Sequence, residues 1–343
     1  MKIAWILDNA IIGKSFYTKN GIAYSLLDHK PYVHEQFISA ECGTMGYNLL
    51  WLWEDSHYII IRELEDAGYD LPDLDLDLVF YSCERNGLDP ECYDRYCVNR
   101  LRKKYPKAKI VGYIKEMGQN FPMHRPNRFV NRIKFFNECD AVHCQDNGQL
   151  RKTQAFKEIS DRVNTKINFS NLSHNINYYY DKFYSNEKEN CIFAYLPNAE
   201  DRKGRTYEFA EYIGNKYNIK VRYKPLRPDQ EYAYLSLIDF INLWSPCLYH
   251  FNLDPRDQQP GWQGVQVASV GSINIGGLNE SHKLLFPETA TNDESRLEEI
   301  FVEYLNSPEK RFKAIEYAWT KVNELYNFSL ARTQIEKIYR SEN

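Results

Sequence analysis

The chain has 343 residues, with 43 Lys and Arg against 47 Asp and Glu and a formal net charge of −4. That length exceeds one ordinary core and predicts two domains, and the near-average apolar and charged content excludes a disordered chain. No stretch is long enough to span a membrane, and eight cysteines with no Cys-x-x-Cys pair and no His at zinc-finger spacing exclude a small zinc module and read as buried thiols of a reducing compartment.

Lys2-Leu7 opens the chain as a buried strand, too short for the apolar region of a signal peptide and ended by Asp8 and Asn9. A cytoplasmic protein is expected, in the host cytoplasm if the source is viral. Ile11-Ile12-Gly13-Lys14-Ser15 follows, with Asp8 where a phosphate-binding P-loop needs its first glycine. That excludes an ATPase and leaves Gly13 as a point where backbone can approach a ligand. Next come an Asp77-Ser82 strand, a Glu91-Tyr105 helix, a Lys109-Ile114 strand, an Arg125-Asn137 helix and strands at Ala141-Gln145 and Ile167-Phe169. Short apolar runs alternating with helical patterns predict βαβ units and a parallel sheet.

Charge is uneven along this half. From Glu54 to Asp94 acids dominate, with Arg62 and Arg85 the only Lys or Arg; from Arg95 to Lys134 twelve bases face the single acid Glu116. Arg125, Arg128 and Arg132 recur at spacings of three and four and so share one helical face. The expectation is a local basic surface for an anionic partner on an acidic protein.

The Asn-rich run Ser170-Tyr184 and the charged Asn186-Asn190 mark a boundary, giving a first domain over 1–184 and a second over 185–325. The second series runs Cys191-Tyr195 strand, Thr206-Lys216 helix, Ile219-Tyr223 strand, a short helix around Glu231-Leu237, Phe240-Leu243 strand, Gly264-Val270 helix and Ser272-Ile275 strand. Ser307-Pro308-Glu309 starts a helix with Ser307 as its cap. A last amphipathic helix, Ser329-Tyr339, lies in a segment over 326–343 that could pack back on the first domain. Two doubly wound units in tandem place ligands at the C-terminal ends of their strands, with a central cleft between the units.

Three segments carry chemistry. Asn198-Ala199-Glu200-Asp201-Arg202-Lys203-Gly204-Arg205 lies between a strand and a helix, where backbone N–H groups and three bases favour a diphosphate. Pro260-Gly261-Trp262-Gln263-Gly264-Val265-Gln266 opens a helix of small and apolar residues that leads to a strand and the Gly276-Gly277 loop. Glu116 ends the Lys109-Ile114 strand, followed by Pro122; Asp8 and Glu84, also at strand ends, are its reserves. The histidines show no paired ligand spacing, so no metal site is expected.

The second and first of these segments together resemble the donor site of GT-B glycosyltransferases. In that family a basic residue with Lys-Gly contacts the donor pyrophosphate, and a helix opened by a Pro-containing turn carries an acid that holds the ribose. Gln258 and Gln266 stand at the positions of the two usual carboxylates, Ser245-Pro246 reverses the family's Pro-Ser, and Cys247-Asp257 reads as an insertion. Asn171-Leu172-Ser173-His174-Asn175-Ile176-Asn177 resembles the turn that ends the family's first domain. The strand ending in Glu116 is similar to that of phage DNA glucosyltransferases. The resemblance implies two Rossmann-like domains, a UDP-sugar donor and no obligate cofactor. It further implies donor contacts from Gly13, Arg202, Lys203, Arg205, Gln263, Gln266 and Gly276, with Glu116 as general base. With the basic run, it points to an anionic acceptor held by Lys115, Arg125, Arg128 and Arg132, preferably a hydroxylated base in double-stranded phage-type DNA. The alternatives are a polysaccharide or glycolipid acceptor, a nucleotide-sugar epimerase, or a non-catalytic binding protein.

Overall fold

The structure, a computed structural model, describes residues 1–7, 15–20, 22–31, 55–82, 98–114, 126–146, 148, 150–171, 173, 176–194, 200–223, 237–255 and 261–340. The chain divides into two compact units, 1–173 with 328–343, and 174–327.

The first unit is built on strands β1 (Ile3–Leu7), β2 (Phe16–Lys19), β3 (Ile22–Ser25), β4 (His57–Ile60), β5 (Leu78–Ser82), β6 (Lys109–Ile114), β7 (Ala141–Gln145) and β8 (Ile167–Ser170). Their order in one sheet is β3-β2-β4-β1-β5-β6-β7-β8. From β4 to β8 every pairing is parallel, and β2 and β3 add an antiparallel hairpin at one edge. The five residues of β1 and of β5 are all buried, as parallel strands covered on both faces require. One face carries Ala4, Ile6, Val79, Tyr81, Ile110 and Val142 into a core closed by α1 (Ile61–Asp66), α2 (Val98–Lys104), α3 (Pro126–Glu138) and α4 (Gln154–Ser160). The other face stacks Trp5 on Phe80 and sets it edge-on to Tyr113. Of the expected Glu91-Tyr105 helix, Glu91–Cys97 lie outside the described residues.

The second unit begins with α5 (Ile176–Phe183), which lies inside the Asn-rich run expected to end the first domain at Tyr184. The division falls earlier because Ile176 and Tyr179 of α5 are buried within this unit, and Tyr180 stacks on Trp319 at 4.3 Å. Strands β9 (Glu189–Ala194), β10 (Lys220–Tyr223), β11 (Cys247–Phe251) and β12 (Ile273–Ile275) form an all-parallel sheet in the order β10-β9-β11-β12. Helices α6 (Glu200–Tyr217), α7 (Leu237–Trp244), α8 (Trp262–Ser269), α9 (Glu280–Leu285), α10 (Glu294–Asn306) and α11 (Pro308–Leu325) belong to the same unit. Ser307 caps α11 by accepting from the Lys310 N–H, as its Ser-Pro start predicts.

One strand was misplaced by sequence reasoning. Phe240-Leu243 is not a strand but part of α7, and the strand is Cys247–Phe251, inside the expected insertion. Phe240, Ile241 and Trp244 are buried at helical spacing, and Pro246, lacking an N–H, stops the helix before the new strand.

The chain returns to the first unit as α12 (Phe328–Arg340), burying Ala331, Ile335 and Tyr339 at intervals of four. The Tyr339 hydroxyl meets His143 Nδ1 at 3.2 Å, and Gln334 bonds both the backbone N–H and the side chain of Asn171.

Candidate functional site

Of the residues singled out from sequence, Asp8, Gly13, Glu84, Lys115, Glu116, Arg125 and Gln258 lie outside the described residues. Arg128 in α3 and Arg202 and Lys203 in α6 have described backbone only. Arg132, Arg205, Gln263, Gln266 and Gly276 are placed in full.

In the second unit the ends of β11 and β12 converge on one spot. Asn252 N–H donates to Ile275 O at 3.0 Å, and Leu278 N–H to Asp254 O at 3.0 Å, tying the two outgoing loops together. Leu253 N–H donates to Thr206 Oγ1 at 3.1 Å, which fixes the N-terminal half of α6 beside the end of β11. The outer end of an open parallel sheet, with a helix N-terminus beside it, is the place where such folds hold phosphate-bearing ligands.

Gly276 and Gly277 continue β12 with φ of 89° and 88°, in the region that disfavours any side chain. A Cβ on Gly277 would lie 2.0 Å from His282 Nδ1 and 2.9 Å from Asn252 O. Its N–H donates to Asn292 Oδ1 at 3.1 Å. This loop is therefore held tight on its inner side.

The helix that Gly261 opens packs against the same loops. Gly261 precedes α8 in the left-handed region, and Ser281 Oγ donates to its carbonyl. Gln263 Oε1 accepts from Asn252 Nδ2 at 2.6 Å, while its own Nε2, buried, has no partner among the described residues. One turn on, Gln266 Nε2 donates to the Tyr179 hydroxyl at 3.1 Å. The two amides thus differ: Gln263 is locked onto the end of β11, whereas Gln266 is half-buried and oriented by α5.

Sequence reasoning missed Asn252 and the run Asn279-Glu280-Ser281-His282. All four residues of that run are buried, Glu280, Ser281 and His282 completely. Asn279 caps α9 by accepting from the His282 N–H at 3.1 Å. Neither ring nitrogen of His282 has a partner among the described residues. Burial pushes its pKa down to about 4, against a smaller opposing pull from Asp254, so the imidazole is neutral near pH 7 and carries one donor and one acceptor. Four consecutive polar residues after Gly276-Gly277-Leu278, where an amphipathic surface helix would alternate, were the available signal.

Arg205 does not reach this spot as a free cation. Its Nε bonds Glu294 Oε1 at 2.8 Å and its Nη2 bonds Asn292 O at 2.7 Å, so it braces the segment that also holds Gly277. The groove of about 320 Å³ beside it is lined by Glu208, Glu294 and Glu298 as well as Arg205, with Glu294 paired to Arg205 and Glu298 to Lys216.

In the first unit four bases of the basic run are paired with carboxylates. Arg100 pairs with Glu65 at 2.9 Å, Arg102 with Asp140 at 2.7 Å, Lys104 with Asp73, and Lys107 with Asp75 at 3.3 Å. Acids of the preceding acidic stretch supply most of these partners, so charges segregated in sequence mix in space. Arg132, expected to face a partner, is only 8 % exposed and belongs to the packing of α3. Among the described residues no group of three His, Cys, Asp or Glu is placed to hold a metal ion, and no helix is long and apolar enough to cross a membrane.

No family model matches the chain, and no curated protein matches its sequence. Solved structures do match it from end to end. An α-glucosyltransferase in complex with UDP shares 11 % identity at a TM-score of 0.64, covering 99 % of this chain and 100 % of that one. The α-glucosyltransferase in complex with UDP-glucose and DNA containing an abasic site shares 10 % identity at 0.62, covering 99 % of both chains. HepE of Anabaena in complex with UDP shares 10 % identity at 0.62, covering 99 % and 100 %. The fold is that of GT-B glycosyltransferases, as the donor-site resemblance in the sequence predicts.

Proposed function

We propose that this chain is a glycosyltransferase that moves a sugar from a UDP-sugar to a hydroxyl acceptor. The observation that carries the reading is the end-to-end match to structures that hold UDP or UDP-glucose. The loops joined at Asn252, Gly276 and Gly277 support it.

In this reading the second unit holds the donor. The α6 N-terminus, with Arg202 and Lys203, receives the diphosphate through backbone N–H groups and positive charge. Gln266, oriented by Tyr179, bonds a ribose hydroxyl, and Gly276 and Gly277 let the backbone come close to the ligand. Glu116, with Asp8 or Glu84 as reserve, takes the proton of the acceptor hydroxyl as its oxygen bonds the anomeric carbon and the diphosphate leaves with the electron pair.

The preferred acceptor is a hydroxylated base in double-stranded DNA. The DNA-bound neighbours support it, with Lys115, Arg125 and Arg128 as phosphate contacts. A polysaccharide or glycolipid acceptor is the second reading, favoured by the ion pairs that neutralise Arg100, Arg102, Lys104 and Lys107.

UDP release and transfer of labelled sugar, measured with hydroxymethylated duplex, unmodified duplex and a glycan or glycolipid panel, separate these readings. Transfer to the hydroxymethylated duplex alone is expected. Transfer only to the glycan panel replaces the acceptor, conversion of the donor without acceptor replaces transfer by epimerisation, and binding without turnover on any substrate overturns the enzymatic reading.

A further inference from the structure

Strands β9 and β11 lie side by side with their registers out of step. Cys247 faces Glu189 and Tyr249 faces Ile192, so three residues of β9 are spanned by two of β11. Such a bulge re-aims the side chain of the extra residue. Here the Cys191 and Cys247 sulfurs lie 2.9 Å apart, both side chains buried, and both thiols free. A disulfide needs about 2.05 Å between sulfurs, so closure asks for less than an ångström of movement.

The two thiols are not equivalent. The contact with Cys247, and then the Arg222 guanidinium, hold the Cys191 thiol below its ordinary range; the same contact and burial push Cys247 up. Arg222 is held in place by Glu189, whose carboxylate also lies 4.0 Å from Cys191 Sγ. By contrast, Cys139 and Cys144 in the first unit each direct their sulfur at a backbone carbonyl, and burial raises the Cys139 thiol. The pair sits where β9 and β11 begin, at the opposite end of the sheet from Asn252 and Gly277.

We propose that Cys191 and Cys247 are a modification site of the second unit, a redox pair that hydrogen peroxide closes into a reversible disulfide. The Cys191 thiolate attacks one peroxide oxygen. The O–O bond breaks, leaving a sulfenic acid and a hydroxide that takes up the proton the thiol lost. The Cys247 sulfur then attacks the Cys191 sulfur, the S–O bond breaks, and the oxygen departs as a second water with the Cys247 proton. Two thiols and one peroxide give one disulfide and two waters.

The test treats the reduced full-length chain with graded hydrogen peroxide, alkylates the remaining thiols after unfolding, and maps non-reduced peptides by mass spectrometry. The expected result is a peptide joining Cys191 to Cys247, released by dithiothreitol, that appears at doses leaving Cys139 and Cys144 alkylated. A Cys247→Ser variant is expected to stop at a Cys191 sulfenic acid that dimedone traps. Both cysteines still alkylated after Cys139 has been oxidised, or both carried to sulfinic acid with no joined peptide in the parent protein, overturns the proposal.

Discussion

Gly277→Ala probes the loop at the end of β12 most sharply. With φ at 88° an added side chain meets its own backbone, a cost of about 1–2 kcal/mol. The new Cβ would also fall 2.0 Å from His282 Nδ1 and 2.9 Å from Asn252 O. The imidazole has little room to retreat, because a Cβ on Gly264 would already lie 2.8 Å from its Cδ2. Overpacking of a buried site adds about 1–3 kcal/mol, so the substitution should cost about 2–5 kcal/mol in all. The assay is urea unfolding of the parent, Gly277→Ala, His282→Ala and the double variant. Removing the ring should relieve the clash but not the backbone strain, so the cycle should show a favourable coupling of about 1–2 kcal/mol. A Gly277→Ala protein within about 0.5 kcal/mol of the parent, or one uncoupled from His282, would refute the tight loop.

Further outcomes are expected. Gln266→Ala should weaken UDP binding, whereas Gln266→Glu should be tolerated or improve it by about 1 kcal/mol, since the Tyr179 hydroxyl can turn to donate to a carboxylate; equal affinities in isothermal titration would remove Gln266 from the site. Burial lowers the pKa of His57 and His282 to about 4 and of His143 and His250 to about 3. The unfolded chain binds their protons from about pH 6.5 downward while the fold does not. Stability should therefore be full above pH 6.5 and fall by up to about 1.4 kcal/mol per histidine per pH unit toward pH 4. Equal urea midpoints at pH 7.5 and 5.5 would contradict this. If DNA is the acceptor, Arg128→Ala should flatten the salt dependence of duplex binding by about one unit of slope, while Arg102→Ala, already paired with Asp140, should leave it unchanged; the reverse pattern would move the contact surface.

The parallel core was legible in the sequence because its strands, such as Ile3–Leu7 and Leu78–Ser82, are unbroken apolar runs that only a sheet covered on both faces requires. The edge hairpin was missed, although Asn20-Gly21 stands between alternating Phe16–Lys19 and Ile22–Ser25 and Asn20 has φ of 52°. Leu237–Trp244 and Cys247–Phe251 are both short and apolar, and only the burial spacing of Phe240, Ile241 and Trp244 tells helix from strand. The glycine loop was legible from Gly276-Gly277, but the burial of the polar run behind it was not. A buried His282 reads in sequence like a surface one. The ion pairs within the basic run were not legible for a related reason, since one-dimensional spacing does not show that Asp140, Asp73 and Asp75 lie beside Arg102, Lys104 and Lys107.

Calorimetric titration of UDP into the full chain and into an Arg202→Ala/Lys203→Ala variant tests the donor site directly. The account predicts saturable binding of one UDP per chain, weakened in the folded variant by about 1.5–3 kcal/mol for each charged hydrogen bond lost. A folded parent protein that gives no saturable heat with UDP, UDP-glucose or GDP would contradict it.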